Sequence, residues 1–132
     1  MQIYLSYTSA DAPLARQISD GLKREGFSVW DDREILPGDN WGSKVADALQ
    51  NSDAMVVLMT PESLTSAQVQ HDISYALGDR AYSGRLIPVV AQQLSIDDLP
   101  WILKTLQSVR LDKPEDVPSG ISQITTALRR AA

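Results

Sequence analysis

The sequence predicts a single α/β domain built on a doubly wound parallel sheet. The chain has 132 residues, of which 43% are hydrophobic, and this is the size of one ordinary globular domain. We therefore expect one domain over residues 1–132. Short β-prone runs alternate with amphipathic stretches along the chain. One run, Ala54–Met59, is apolar at every position, which is typical of a central parallel strand that is buried on both faces.

The first strand and helix are predicted near the amino terminus. Ile3–Tyr7 is a β-prone run, and residues 8–13 then supply hydroxyl and carboxylate N-cap candidates with Pro13 in the opening turn. An apolar stripe with a spacing of four residues follows at Leu14, Ile18 and Leu22. Gly26 is suited to the left-handed conformation that ends a helix.

The same pattern repeats twice. Phe27–Trp30 is predicted as strand two, and a polar loop, Asp31–Asn40, separates it from a second helix. That helix is marked by Trp41, Val45, Ala48 and Leu49. After strand three, a third helix is predicted within Thr65–Leu77, with Thr65 and Gln68 spaced as a capping box and Gly78 at its end.

The last third of the chain contains two further strands. Leu86–Val90 is strand four, and Pro88 places it near a sheet edge or at a bulge because proline has no N–H for the ladder. Leu94–Leu106 favours a short irregular helix at most. Ser108–Leu111 is strand five, and the final helix runs from about Pro118 to Arg129.

Five strands joined by crossover-length connections predict a flavodoxin-like fold with strand order 2-1-3-4-5 and helices on both faces of the sheet. Ligands of such folds bind outside the carboxyl ends of the strands, where the strand order reverses. The functional rim is therefore predicted at four segments: Ser6–Asp11, Asp31–Trp41, Thr60–Asp72 and Ala91–Gln93.

Composition excludes several classes of protein. The net charge of −5 is mildly repulsive to phosphate backbones, so we expect no direct nucleic-acid partner. The chain has no cysteine, which excludes disulfides, thiolate zinc sites and cysteine nucleophiles. No segment has the length or apolarity of a membrane span or a secretory signal, so we expect a cytoplasmic protein without a membrane partner.

Several familiar nucleotide-binding, phospho-accepting and metal-binding motifs are also missing from the sequence. Its glycines form neither a dinucleotide-binding fingerprint nor a phosphate-binding P-loop. Phospho-receiver proteins carry acids at the ends of strands one and three, where this chain has Ser6-Tyr7 and Met59-Thr60. The single His71 has no second His or Cys with which to form a metal site, so no metal ligand is predicted.

Four stretches, in order and at family spacing, resemble the TIR (Toll/interleukin receptor) domains. Ile3–Asp11 resembles the opening box of the family. Phe27–Asp32 and Leu36–Trp41 are similar to its second strand and mobile loop. Ala48–Thr60, with Ser63–Ser66 after it, resembles the segment that leads into the third helix. The compact form with Leu36-Pro37-Gly38 is most similar to bacterial members.

The resemblance implies two classes of function. Some TIR domains cleave the nicotinamide–ribose bond of NAD⁺ and release a linear or cyclic ADP-ribose product, which implies an immune or cell-death role with NAD⁺ as substrate and no true cofactor. Others are assembly modules that bind other TIR domains through their helices and mobile loop, here Arg33–Asn40. The resemblance therefore implies two partners, NAD⁺ and other TIR domains.

In the catalytic members a glutamate on the third helix follows a tryptophan by one turn, in a pattern like S-x-W-x-x-x-E. Aligned on Ser66, Gln68 stands at the position of the tryptophan and Asp72 at that of the glutamate. Aspartate keeps the charge but withdraws it by roughly 1.5 Å, and a misplacement of about 1 Å can cost on the order of a hundredfold in rate. Asp72 is the candidate catalytic carboxylate, because such a charge stabilises the oxocarbenium-like state of glycosidic cleavage.

The candidate binding residues have structural interpretations as well. Asp72 falls at the border of the apolar stripe of its helix, where a solvated acid would look the same, and His71 is expected on the surface. Asp31 and its neighbour Asp32 either cap the loop or hold ribose hydroxyls, with capping favoured. Core packing is favoured for Trp41 and Trp30 over stacking on a base. The remaining candidates are Ser6, Tyr7 and Ser9, which either meet a phosphate at a helix amino terminus or act as ordinary caps, and Gln68.

Overall fold

The computed structural model describes residues 1–131 and contains five parallel strands in the order β2-β1-β3-β4-β5. The strands are β1 (Gln2–Ser6), β2 (Ser28–Trp30), β3 (Ala54–Met59), β4 (Leu86–Ala91) and β5 (Val109–Leu111). The helices are α1 (Ala12–Arg24), α2 (Trp41–Asn51), α3 (Ala67–Gly78), α4 (Trp101–Lys104) and α5 (Val117–Ala131). The predicted fold and strand order are confirmed. None of the helices within residues 1–131 has the length and apolarity that crossing a bilayer requires.

The core consists of two apolar layers, one on each side of the sheet. Helices α1 and α5 cover one face, and α2, α3 and α4 cover the other. Successive side chains of β1 point to opposite faces: Ile3 and Leu5 pack in the α1–α5 layer, whereas Tyr4 packs in the α2–α3 layer. By the same alternation, Ser6 at the end of β1 faces α3.

Helix α3 begins one residue later than a capping box at Thr65 predicts. The chain first makes a 3-10 turn at Ser63–Thr65, and Ser66 is the N-cap, accepting a hydrogen bond from the backbone N–H of Val69 at 3.3 Å. The predicted Thr65–Gln68 capping box is wrong, because the Thr65 hydroxyl donates to the Glu62 carbonyl instead. The side chain of Gln68 is thereby free to turn toward the sheet.

Three other local predictions agree with the structure. Strand β4 is adjacent to the edge strand, and its pairing with β5 begins at Val89, one residue after Pro88. The ladder on that side therefore starts beyond the proline. Gly26 adopts the expected left-handed conformation, with a φ of 99°, after the end of α1. The Leu94–Leu106 segment forms only a 3-10 turn and the four-residue α4, as expected.

Candidate active site

The carboxylate of Asp72 is buried against the carboxyl end of β1. Helix α3 packs on the sheet through Val69, Ile73 and Ala76, and Asp72 lies beside this apolar stripe. Only 2% of the residue is exposed, so the interpretation of Asp72 as a solvated boundary acid is wrong. Its neighbour His71 points outward, with 66% of its side chain exposed, as expected.

Two hydrogen bonds hold this carboxylate. The Ser6 hydroxyl donates to Oδ2 at 2.8 Å, and the Gln68 amide, one turn earlier on α3, donates to Oδ1 at 2.8 Å. Burial raises the pKa of Asp72 above its ordinary value, although the hydrogen bonds from Ser6 and Gln68 oppose that rise. The site thus contains a carboxylate whose basicity is higher than that of an exposed aspartate.

Aromatic side chains from β1 and β2 surround the acid. Tyr4 faces Asp72, and the pKa of the Tyr4 hydroxyl is raised by its own burial and by the negative charge of Asp72. Trp30 stacks on Tyr4 with a centroid distance of 5.0 Å and an interplanar angle of 19°. Trp30 therefore packs within the α2–α3 layer, as favoured from the sequence. The buried carboxylate has an apolar, aromatic wall on the side of β2.

Trp41 differs from the sequence expectation. It is the first residue of α2, whose N-cap Asn40 accepts from the backbone N–H of Ser43. Because this first turn of α2 lies at the rim of the sheet, 46% of Trp41 is exposed. The prediction that Trp41 packs in the core is therefore wrong. Its indole borders the cavity over Asp72 instead.

The cavity over Asp72 has a volume of about 20 Å³, which is room for roughly one water molecule. Six of the predicted site residues line it: Ser6, Tyr7, Trp30, Trp41, Gln68 and Asp72. Of the remaining lining residues, Asp32 was considered together with Asp31, whereas Tyr4, Leu5 and Val45 were not predicted as site residues. Tyr4 on β1 and Val45 on α2 were detectable as apolar positions, but that they come together at this cavity depends on how the helices pack on the sheet.

Two predicted site residues lie outside this cavity. Ser9 is exposed at the start of the 3-10 turn Ser9–Asp11. Asp31 is buried, and its carboxylate accepts from the Arg33 backbone N–H at 2.9 Å and from the Arg33 guanidinium at 2.9 Å. Burial raises the pKa of Asp31, but the hydrogen bonds from Arg33 outweigh that effect and hold it below its ordinary value. Asp31 therefore occupies the loop-capping position, whereas the adjacent Asp32 borders the cavity and accepts from the Tyr7 hydroxyl at 2.6 Å.

A second buried carboxylate, Asp11, was not predicted as a functional or structural centre. Its Oδ2 accepts from the hydroxyls of Thr8 and Thr60, at 3.0 and 2.5 Å, and its Oδ1 accepts from the Gln92 amide at 2.9 Å. Asp11 precedes α1 but makes no side-chain cap bond to it. It joins the segments that follow β1, β3 and β4. Within residues 1–131, no three acidic or histidine side chains converge as a metal site would require.

The fold and this rim are those of a doubly wound α/β domain, and the chain belongs to the TIR domain family. The family model matches residues 3–125. The matched segment includes Ser6, Asp72 and the loop Asp31–Asn40. The predicted family resemblance is confirmed.

Two of the matching proteins are considerably longer than this chain. The chain is 30% identical over 112 residues to the stimulator of interferon genes protein of Magallana gigas, an alignment that covers 82% of this chain and 27% of that protein. A metazoan TIR-STING receptor from C. gigas, solved in complex with 2′,3′-cGAMP, superposes with a TM-score of 0.73 at 29% identity, covering 91% of this chain and 39% of that one. The chain thus spans only about a quarter of the curated relative and well under half of the solved receptor chain.

The TIR domain of a Toll-related receptor from Hydra magnipapillata matches at full length. Its TM-score is 0.78 at 17% identity, and the alignment covers 96% of this chain and 97% of that one. At this identity the likeness shows the fold alone.

Proposed function

We propose that this TIR domain cleaves the bond between nicotinamide and ribose in NAD⁺, releasing nicotinamide and ADP-ribose or a cyclic isomer of it. The observation that carries the proposal is the buried carboxylate of Asp72, held by Ser6 and Gln68 at the carboxyl end of β1. This is the position at which ligands of doubly wound folds bind. Membership of the TIR family, some of whose members perform this reaction, supports the assignment.

The proposed chemistry is a heterolytic cleavage in which NAD⁺ is the substrate and undergoes no redox change. The C1′–N bond breaks, nicotinamide leaves with the electron pair, and the ribosyl group becomes oxocarbenium-like. The negative charge of Asp72 stabilises that state. Water then adds to C1′ and loses a proton, or an adenine nitrogen adds to close the cyclic product. The raised pKa of Asp72 suits it to accept the proton from water.

Substrate binding requires a rearrangement of this site. A cavity of about 20 Å³ holds one water and no nicotinamide ring. Gln68 and Trp41 border both this cavity and the neighbouring surface, so displacement of their side chains opens the way to Asp72. The loop Asp31–Asn40, anchored by the Asp31–Arg33 pair, adjoins the same side of the cavity.

Nicotinamide release from NAD⁺ by the purified protein tests this proposal. The variants are Asp72→Asn, which removes the charge in nearly the same volume, and Asp72→Glu, which extends it. Asp47→Asn, at an exposed position of α2 that does not line the cavity, is the matched control. We expect release by the wild type and the control, loss in Asp72→Asn, and retained or increased release in Asp72→Glu. Release that is unchanged in Asp72→Asn would contradict the role of this carboxylate.

A non-catalytic assembly module is the second candidate, and the loop supplies the observation that favours it. Leu36 is 65% exposed at the tip of the segment Arg33–Asn40, and Asp39 fixes its backbone by accepting from the Leu36 N–H at 2.9 Å. An apolar side chain presented on a defined turn suits contact with another TIR domain in a cytoplasmic immune or cell-death complex. Concentration-dependent oligomers that are lost in Leu36→Ser, without any consumption of NAD⁺, would select this function.

A further inference from the structure

We propose that a groove between α2 and α3 binds the adenine-bearing half of NAD⁺ while the nicotinamide–ribose bond lies over Asp72. This inference rests on the proposed function and adds to it a second subsite. The groove has a volume of about 480 Å³, which is within the range of small-molecule binding pockets. The cavity at Asp72, in contrast, has about 20 Å³.

The lining of the groove has the chemistry of a site for a planar heteroaromatic base. The aliphatic side chains of Val45, Ala46 and Leu49 line it, and the rings of Trp41 and Tyr75 also border it. Aromatic faces stack on bases. The amides of Gln50 and Gln68 supply both donors and acceptors for the polar edge of a purine.

The groove contains no carboxylate among its lining residues, and its one titratable side chain besides Tyr75 is the exposed His71. It therefore has no group with which to stabilise a ribosyl cation. A binding role for a neutral base fits this lining better than a second reaction centre. Gly42, in the first turn of α2, also lines the groove.

The groove and the cavity are contiguous. Trp41, Val45 and Gln68 line both, and the Gln68 amide is bonded to Asp72 at 2.8 Å. The side chain of Gln68 thus stands between the acid and the groove. Rotation of this one side chain away from Asp72 joins the two spaces into a single cleft, with the acid at one end and the aromatic groove at the other.

The first test uses AMP, which is the adenine-bearing half of the dinucleotide, and follows amide resonances by NMR. We expect AMP to shift the resonances of Ala46, Gln50 and Tyr75. Ala46→Leu adds bulk at an exposed groove position, and Gln50→Ala removes an amide. Each should weaken AMP binding by at least about fivefold. Asp47→Leu places the same leucine at the next position of α2, which is exposed and does not line the groove, and should bind as the wild type does. AMP shifts elsewhere, or unchanged affinity in Ala46→Leu, would overturn the inference.

The second test separates this inference from the proposed function by comparing NAD⁺ with nicotinamide mononucleotide, which carries the scissile bond but no adenine. Ala46→Leu should raise the KM for NAD⁺ by at least about fivefold and leave kcat/KM for the mononucleotide unchanged. Turnover with no change in KM would overturn the groove while the catalytic proposal stands. If neither substrate releases nicotinamide but AMP still binds the groove, the catalytic proposal fails and the groove remains an adenine-nucleotide site.

Discussion

The hydroxyl of Ser6 donates a 2.8 Å hydrogen bond to the carboxylate of Asp72, joining the end of β1 to α3 across 66 residues of sequence. Both residues are buried, with 1% and 2% of their surfaces exposed. Ser6 lies opposite Val57 in the β1–β3 register, so the placement of the acid depends on the pairing of the two central strands. The electrostatic environment of Asp72 therefore depends on how the core of the protein packs.

Removal of this hydroxyl should destabilise the protein and raise the pKa of Asp72 further, because the ionised carboxylate loses one of its donors. We expect Ser6→Ala to lower the free energy of unfolding in urea by about 1–2 kcal/mol at neutral pH. The matched control is Ser19→Ala, since Ser19 is fully buried on α1 and its hydroxyl has no hydrogen-bond partner within residues 1–131. Equal losses in the two variants would show that the Ser6–Asp72 bond contributes nothing.

The burial of Asp72 predicts a pH-dependent cost to stability. Its pKa is raised in the folded state, so folding favours the protonated acid, and this contribution is lost as the pH rises from the unfolded value through the folded one. Asp72→Asn does not titrate and keeps groups that can pair with Ser6 and Gln68. We expect the stability of Asp72→Asn relative to wild type to increase from about pH 3 to about pH 8, by about 1.4 kcal/mol for each unit of pKa shift. A constant difference across this range, measured by urea unfolding, is the contradicting result.

The Asp31–Arg33 pair should show the opposite dependence on pH. The pKa of Asp31 is lowered in the folded state, so its contribution is present above the unfolded value and is lost as the pH falls. The Arg33 side chain is 39% exposed, and solvent screening limits the expected loss in Arg33→Ala to about 1 kcal/mol near neutral pH. Arg33→Lys should recover only part of this loss because lysine cannot form the two-pronged contact. A loss that is as large at about pH 3 as at about pH 7 would contradict the assignment.

The two tryptophans of the site should separate stability from activity. Trp41 is half exposed and Trp30 stacks on the buried Tyr4. Trp41→Ala should therefore cost less than about 1 kcal/mol of stability, whereas Trp30→Ala should cost about 3 kcal/mol or more. Nicotinamide release, however, should fall in Trp41→Ala with an increased KM for NAD⁺. A stability loss in Trp41→Ala as large as that in Trp30→Ala would place Trp41 in the core after all.

The sequence predicts the sheet well because the physical signals for it are local. The uninterrupted apolar run at Ala54–Met59 indicates a central strand. The alternation of strands with helices along the chain predicts the doubly wound fold and the strand order that the structure has. The stripe of Val69, Ile73 and Ala76 likewise fixes which side of α3 is buried. One local pattern gave a wrong prediction. Thr65 and Gln68 have capping-box spacing, but a 3-10 turn precedes α3 and Ser66 is its N-cap.

The candidate site depends on contacts between distant segments, which the sequence does not encode as a pattern. Asp31 and Asp32 are neighbours in sequence, yet one is paired with Arg33 and the other bonds to Tyr7. Asp11 has the spacing of a helix cap, and only the meeting of three strand ends reveals its bonds to Thr60 and Gln92. The exposure of Trp41 depends on where α2 lies relative to the rim of the sheet. Apolar periodicity along a helix carries no information about that position.

Nicotinamide release from NAD⁺ at high protein concentration, with Asp72→Asn beside the wild type, tests the central claim most directly. We expect release by the wild type that disappears in Asp72→Asn, while thermal unfolding shows that the variant is folded. Release by the folded Asp72→Asn protein at the wild-type rate would contradict the assignment of Asp72. The absence of release from wild type, Asp72→Asn and Asp72→Glu alike, with stable oligomers present, would contradict catalysis and leave the assembly function.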